Sequence, residues 1–341
     1  MKTLILKPSS LGDVIQALPV LRLIRLHDPG AEVWWWLESS LTPLLEGDPD
    51  LAGVIPFDRR RWRHPRHWPE AWRSLRRMRE LGFDRVIDLQ SLARSGLVAW
   101  LAGGSFTIGL DDRREAAAGF YDLAVPRPGP LAHAVDWYLS VLPPLGVPVH
   151  RNFTWLPERP AMAAALREKW DAAGSRWVAL QPGARWTNKR WPAEHFAALV
   201  RHGAAAWPDV RFAILGGPGE RSLAATIAAA APSRTLNLAG GTSLPEMVEW
   251  LRLSDLLVSN DTGPLHIAAA LGRPVIALFG PTEPRRTGPY GQLEHTLRHP
   301  LPCAPCLKDT CRHSRPLECL EAITPAIVAA RLDAMLQARR P

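Results

Sequence analysis

Thr3-Leu4-Ile5-Leu6-Lys7-Pro8-Ser9-Ser10-Leu11-Gly12-Asp13-Val14 changes character halfway along. Thr3 to Leu6 is an apolar run of strand length, and Lys7 to Gly12 is a polar turn. From Val14 onward apolar residues recur at Leu18, Leu21 and Ile24, the spacing of one helix face. A buried strand passing through a short loop into a helix is the opening unit of a parallel sheet covered on both faces. The same rhythm continues. Strands are expected at Glu32 to Leu37, Val54 to Phe57, Arg85 to Leu89 and Phe106 to Ile108, with helical segments between them.

Pro-rich passages from Val125 to Pro130 and from Pro143 to Pro160 interrupt the alternation, and the second is the expected linker. Strands then resume at Trp177 to Gln181, Phe212 to Leu215, Thr235 to Leu238, Leu256 to Ser259 and Val275 to Phe279. Helices are expected at Ala193 to Ala206, Glu220 to Ala231 and Leu244 to Leu253. A chain of 341 residues suits two such α/β domains. The boundaries read as 1–150 and 160–322, followed by a C-terminal helix in 323–341. Two doubly wound, Rossmann-like domains facing across a cleft form the GT-B arrangement, in which the last helix often crosses back to the first domain, and ligands bind beyond the carboxyl ends of the strands.

The formal charge is +8, and part of the excess is local: Arg59, Arg60, Arg61, Arg63, Arg66, Arg73, Arg76, Arg77 and Arg79 meet only Glu70 between residues 59 and 79. Arginine takes phosphate in a fork geometry, so this stretch suits nucleic acid, an anionic membrane face or an acidic substrate; the plain alternative is a solvated helix. Trp62, Trp68 and Trp72, interleaved with the arginines, fit an interfacial position. The first residues are too short an apolar run for a signal peptide or a membrane span, so a cytoplasmic protein is expected.

Three loops carry candidate chemistry. Asp13 lies near a helix N-terminus, where it can act as a general base toward an acceptor hydroxyl or serve as a helix cap. Lys189, in Pro182-Gly-Ala-Arg-Trp-Thr-Asn-Lys189-Arg-Trp-Pro192, offers a point charge to a diphosphate, the alternative being an exposed basic loop. Ser259-Asn-Asp-Thr-Gly-Pro-Leu-His266 joins a strand to a helix, so the backbone at Thr262 and Gly263 can cradle phosphate oxygens. Asp261 would be unfavourable directly against a diphosphate and is expected to turn toward sugar hydroxyls or backbone N–H groups. A cap is the plain reading for Asp261, and a hydrogen-bonded histidine on the first turn for His266. Gly216-Gly-Pro-Gly-Glu220 follows a strand in the same way, with Glu220 a candidate partner for ribose hydroxyls. Cys303, Cys306, Cys311 and Cys319 begin as C-x2-C but continue irregularly, leaving structural zinc and reduced, unliganded thiols both open.

Taken together, the opening Lys7-Pro-Ser-Ser-Leu-Gly-Asp-Val14, Val86-Ile-Asp-Leu-Gln-Ser-Leu92, the Lys189-Arg-Trp-Pro192 loop, Asn260-Asp-Thr-Gly-Pro-Leu-His266 and Leu278-Phe-Gly-Pro-Thr282 resemble the ADP-heptose:lipopolysaccharide heptosyltransferases of glycosyltransferase family 9, across almost the whole chain. Val54-Ile-Pro-Phe-Asp-Arg-Arg-Arg-Trp-Arg63 and His133-Ala-Val-Asp136 look like the type I enzymes. The resemblance implies inverting transfer of L-glycero-D-manno-heptose from ADP-heptose to Kdo-lipid A, without a catalytic cofactor, at the cytoplasmic face of the inner membrane by peripheral contact. Asp13 would be the base and Lys189 would sit at the donor phosphates. Glu220, Asp261, Thr262, Gly263 and His266 would complete the donor site. Ser10, Arg59, Arg60, Arg61 and Arg63, with Arg113 and Arg114, would meet the anionic acceptor. Ala184 and Arg185 depart from the small hydroxyl residues of the type I donor loop, which keeps a type II enzyme, or another ADP-sugar transferase of the family, in view. An epimerase on the same fold has no use for the arginine and tryptophan cluster. A nucleic-acid-binding protein has no use for Asp13, and no nucleic-acid partner is expected. A dehydrogenase would need G-x-G-x-x-G after the first strand.

Overall fold

The computed structural model describes residues 1–112, 115–172 and 174–338. It divides into two compact units, Met1–Pro157 and Glu158–Pro341, with the division inside the Pro-rich passage expected to be the linker.

The first unit holds strands β1 (Lys2–Leu6), β2 (Glu32–Glu38), β3 (Gly53–Phe57), β4 (Arg85–Asp88), β5 (Phe106–Asp111) and β6 (Leu123–Pro126) in one sheet of order β3-β2-β1-β4-β5-β6. Its strand pairs are parallel, with β1 at the centre between β2 and β4. Helices cover such a sheet on both faces, so its central strands are apolar throughout rather than alternating: Leu4, Ile5 and Leu6 have no exposed surface. The helix Leu11–His27 is buried from Val14 to Ile24 and rests on the helix Ala134–Leu139. Its one deeply buried cation, Arg22, is held by both carboxylate oxygens of Asp48 (2.6 and 2.5 Å), by Asp50 (2.7 Å) and by the Trp155 carbonyl (3.0 Å). That last contact ties the segment just before the division to the first unit.

The second unit repeats the plan with β7 (Arg176–Gln181), β8 (Val210–Ile214), β9 (Thr235–Asn237), β10 (Leu256–Asn260), β11 (Val275–Phe279) and β12 (Thr296–Arg298), ordered β12-β11-β10-β7-β8-β9 and again parallel. Counted from each unit's own first strand, both sheets have the 3-2-1-4-5-6 order of the dinucleotide-binding folds. The helix Pro325–Gln337, expected to return to the first domain, packs in the second. Val328, Leu332 and Leu336 join the core formed by Phe196, Phe212 and Ile276. Trp207 Nε1 donates to Asp333 (3.0 Å), and Arg176 donates to the Leu336 carbonyl (3.1 Å). An apolar face opposite the helix Ala193–Ala206 explains the difference, because the closing helix buries its own stripe there.

Candidate active site

Because the strands of each unit are parallel, all the loops that follow them emerge at one edge of the sheet. In the first unit that edge gathers Lys7 to Asp13 after β1, Glu38 at the end of β2, Asp58 to Arg63 after β3, and Asp88 to Ser91 at the end of β4 and beyond it.

Ser10, with extended backbone angles, is the N-cap of the helix Leu11–His27, and Asp13 is its third residue. Asp13 Oδ2 accepts from the Ser10 backbone N–H (3.0 Å) and from Ser10 Oγ (2.6 Å), while Oδ1 accepts from the Tyr138 hydroxyl (3.3 Å). Asp13 is thus not the N-cap itself; it fastens the cap from inside the first turn and is held on both oxygens. Beneath it Lys7, almost wholly buried, donates to the Leu89 carbonyl (3.0 Å) and lies 4.8 Å from the centre of the Tyr138 ring. Burial draws the Lys7 pKa down, against the pull of Asp13, Asp88 and Asp112. Burial, with Asp13 alongside, holds the Tyr138 hydroxyl well above its ordinary range, so it remains a donor to the carboxylate. Asp88, fully buried, accepts from Gln90 N–H (2.8 Å) and Tyr121 OH (2.8 Å), yet burial still pushes its pKa up.

The arginine loop lies at the same edge. Asp58 Oδ1 accepts from the backbone N–H groups of Arg60 and Arg61 (3.0 and 2.9 Å), which turns the chain. Arg61 pairs with Glu70 (2.7 Å), Arg59 stands 3.9 Å from Glu38, and Arg60 and Arg63 are exposed. Arg61, Arg73 and Arg77 line a cavity of about 450 Å³ with Trp62 and Glu70. Trp62 is not free for an interface, because it packs edge-on against Phe57 (5.0 Å between ring centres). Arg113 and Arg114 lie outside the described residues.

In the second unit the loop after β7 carries Lys189 to the carboxyl end of β10. Lys189 Nζ reaches Asp261 Oδ2 at 2.6 Å, with side chains 18% and 6% exposed, and lies 4.7 Å from the centre of the Trp186 ring. The Thr282 hydroxyl donates to the same Asp261 oxygen (2.7 Å), and His266 Nε2 stands 4.0 Å from Oδ1. Asp261 therefore does not turn toward backbone N–H groups, and it is not a cap, since Thr262 occupies the N-cap of the helix Gly263–Ala270. Its charge is spent on Lys189, which lessens the repulsion a diphosphate would meet at this edge. Asn260 fixes the loop: its amide donates to the Pro182 carbonyl (2.8 Å), and its carbonyl accepts from the Trp191 N–H (2.9 Å). Arg190 Nε holds the carbonyl of the buried Ala184 (2.9 Å), while Arg185 is exposed.

Glu220 accepts from the Gly217 N–H (2.8 Å) and lies against Gly183 so closely that a Cβ there would stand 1.6 Å from its Oε1. Residue types and spacing did not reveal Thr282 or Tyr138 as neighbours of Asp261 and Asp13. Both come from elements far along the chain, and only the fold brings them in. Cys303, Cys306, Cys311 and Cys319 share one small cavity with His313. Burial, reinforced by the neighbouring thiols, pushes Cys319 up to about 11. Among the described residues no group of three donors is placed to hold a metal ion.

Two doubly wound units, one presenting a hydrogen-bonded carboxylate and the other a lysine beside a helix N-terminus, have the architecture of the GT-B glycosyltransferases. The model of glycosyltransferase family 9 (heptosyltransferase) matches residues 71–315. The chain is 33% identical to lipopolysaccharide heptosyltransferase 1 of Pseudomonas aeruginosa over 371 aligned positions, covering 99% of each chain. It is 29% identical to lipopolysaccharide heptosyltransferase 1 of Escherichia coli K12, over 88% of this chain and 94% of that one. The solved E. coli heptosyltransferase WaaC with ADP superposes with a TM-score of 0.77 at 26% identity, covering 98% of this chain and 100% of that one. This chain belongs to glycosyltransferase family 9 and is a glycosyltransferase.

Proposed function

We propose that the protein transfers L-glycero-D-manno-heptose from ADP-heptose to a Kdo hydroxyl of Kdo-lipid A, the heptosyltransferase I step of lipopolysaccharide core assembly. The observation that carries this reading is the Lys189–Asp261–Thr282 cluster beside the N-terminus of the helix Gly263–Ala270, which brings an ammonium group and a helix N-terminus to one edge, a combination suited to a departing nucleoside diphosphate. In this reading Asp13 takes the proton from the acceptor hydroxyl as its oxygen bonds to the anomeric carbon. The bond to ADP breaks, the configuration inverts, and Lys189 stabilises the charge left on ADP. Tyr138 and Ser10 keep the Asp13 carboxylate aimed. Thr262, Gly263, His266 and Glu220 complete the donor side, with Ala184 and Arg185 bordering it. Arg59, Arg60, Arg61 and Arg63 receive acceptor carboxylates and phosphates. No cofactor is required for this chemistry, and any zinc at the cysteines is structural.

In this reading the protein acts at the cytoplasmic face of the inner membrane by peripheral contact; among the described residues no helix is long and apolar enough to cross a membrane. The test is ADP release by the purified protein given ADP-heptose, with and without Kdo-lipid A, no divalent metal added. Release that depends on Kdo-lipid A is the expected result. Release only with an already heptosylated acceptor moves the protein to a later transfer.

A further inference from the structure

Arginines account for only part of the surface between residues 68 and 102. On the helix Trp68–Leu81, Trp68, Trp72, Arg76 and Arg79 follow one another at helical spacing along a single face, and the two tryptophans are 58% and 66% exposed. The helix Ala93–Ala102 packs beside it and presents Arg94, Leu97 and Trp100 at the same spacing, with Leu97 42% and Trp100 62% exposed. Between the two helices Trp72, Arg73, Leu75, Arg76, Arg79 and Leu101 line an open groove of about 480 Å³. Three tryptophans left in water on one unit are costly, since each has roughly 150–250 Å² to bury. Trp62 of the same stretch is packed inward, so the largely exposed tryptophans of residues 59–102 are the three on this face.

The charges around the tryptophans are predominantly positive: Glu80 is paired with Arg76 at 2.8 Å and Glu115 accepts from the Ala93 N–H (3.1 Å), while Arg73, Arg79 and Arg94 flank the rings. Alternating indole rings and guanidinium groups match the boundary of an anionic bilayer, where the rings lie at headgroup depth and the arginines reach lipid phosphates. We infer that the joint outer face of the helices Trp68–Leu81 and Ala93–Ala102 is the docking surface for an anionic phospholipid bilayer, with Trp68, Trp72 and Trp100 as the inserted groups. This deepens the reading in which the acceptor is a membrane lipid, and rests on it for its purpose.

The experiment is co-sedimentation of the full chain with sucrose-loaded vesicles of phosphatidylglycerol and phosphatidylcholine, or of phosphatidylcholine alone, none carrying acceptor. The wild-type chain is expected to sediment with the anionic vesicles and to be released by high salt. Trp72→Ser with Trp100→Ser is expected to lower partitioning at least about tenfold, because interfacial binding scales with the apolar area inserted. Leu293→Ser, an exposed apolar site in the second unit, is the control and should leave it unchanged. Both tryptophans are exposed, so thermal melts of the variant should match the wild type. Failure of the wild type to bind, equal binding to neutral vesicles, or binding indifferent to the double substitution overturns the proposal. So does a wild-type dimer that the double substitution dissolves, since the face would then cover a second copy. Turnover on de-acylated, water-soluble Kdo acceptor keeps the two readings apart. It should be equal in wild type and variant, and its absence from both would refute the function while leaving the vesicle result standing.

Discussion

Replacing Lys189 by methionine removes the ammonium but keeps most of the side-chain volume, leaving Asp261 with the Thr282 hydroxyl and the more distant His266. At 2.6 Å, with an effective dielectric of about 20, the gross attraction lost is roughly 6 kcal/mol. Desolvation of both groups offsets much of this, and removing one member of a buried pair costs about 3–5 kcal/mol. The residual exposure of Lys189 places this pair at the lower end, about 3 kcal/mol. Asp261→Asn keeps an acceptor for Thr282 and leaves a lysine that reaches solvent, so its cost is smaller, about 1–2 kcal/mol. The double variant has neither charge, and urea unfolding should show a coupling of about 2 kcal/mol in the double-mutant cycle. Transfer should behave differently. Lys189→Met and the double variant should both lose about 10²–10³-fold in kcat, because the charge proposed to meet the leaving diphosphate is absent from each. Recovery of transfer in the double variant would mean that Lys189 serves only to neutralise Asp261. A coupling near zero would mean that the pair contributes nothing to folding.

Asp13→Asn should lower kcat at least about 10²-fold and leave ADP-heptose affinity nearly intact, measured by calorimetry; an equal loss of donor binding would remove it from the chemical step. Tyr138→Phe should lower kcat less than Asp13→Asn, with the acceptor KM nearly unchanged, since it frees one oxygen of the proposed base rather than removing it. Gly183→Ala must push the Glu220 carboxylate aside, so the donor KM should rise while the thermal midpoint moves little; an unchanged KM would take Glu220 out of the donor site. With a pKa of about 11, Cys319 carries about one thiolate in a thousand at pH 8, so it should be the slowest of the four thiols to react with a disulfide reagent, whereas exposed Cys303 reacts readily. Its reactivity should climb as pH rises toward 11. One zinc per purified chain, with all four thiols protected, would refute this ordering.

Periodicity was informative wherever a strand is central. β1, β7 and β11 are short apolar runs between turns, and the helices Ala193–Ala206 and Leu244–Leu253 have the limits their patterns suggested. Of the edge strands, β3 and β9 were legible too, but β6 and β12 were not. β6 ends in Pro126 and reads as an interruption, because an edge strand can spare the N–H that proline lacks; β12 has three residues, too few to show a pattern. The site divides in the same way. Asp13, in the first turn of its helix, and Lys189 and Asp261, after strand ends, lie in segments whose residue types stand out locally. Tyr138, Thr282 and the buried Lys7 acquire their meaning from partners that the sheet order brings together. The C-terminal helix shows the limit of analogy, since the helix pattern is clear in sequence but its packing surface is set by the second core.

With the candidate loops gathered at the carboxyl edge, the amino edge of each sheet is available as a handle. Turns such as Asp28 to Ala31 before β2 and Leu271 to Arg273 before β11 lie a full strand length from the candidate site residues of their own units. A fluorophore or surface tether attached at Gly30, whose backbone accepts a side chain, could therefore report on the protein, or immobilise it, away from the candidate site.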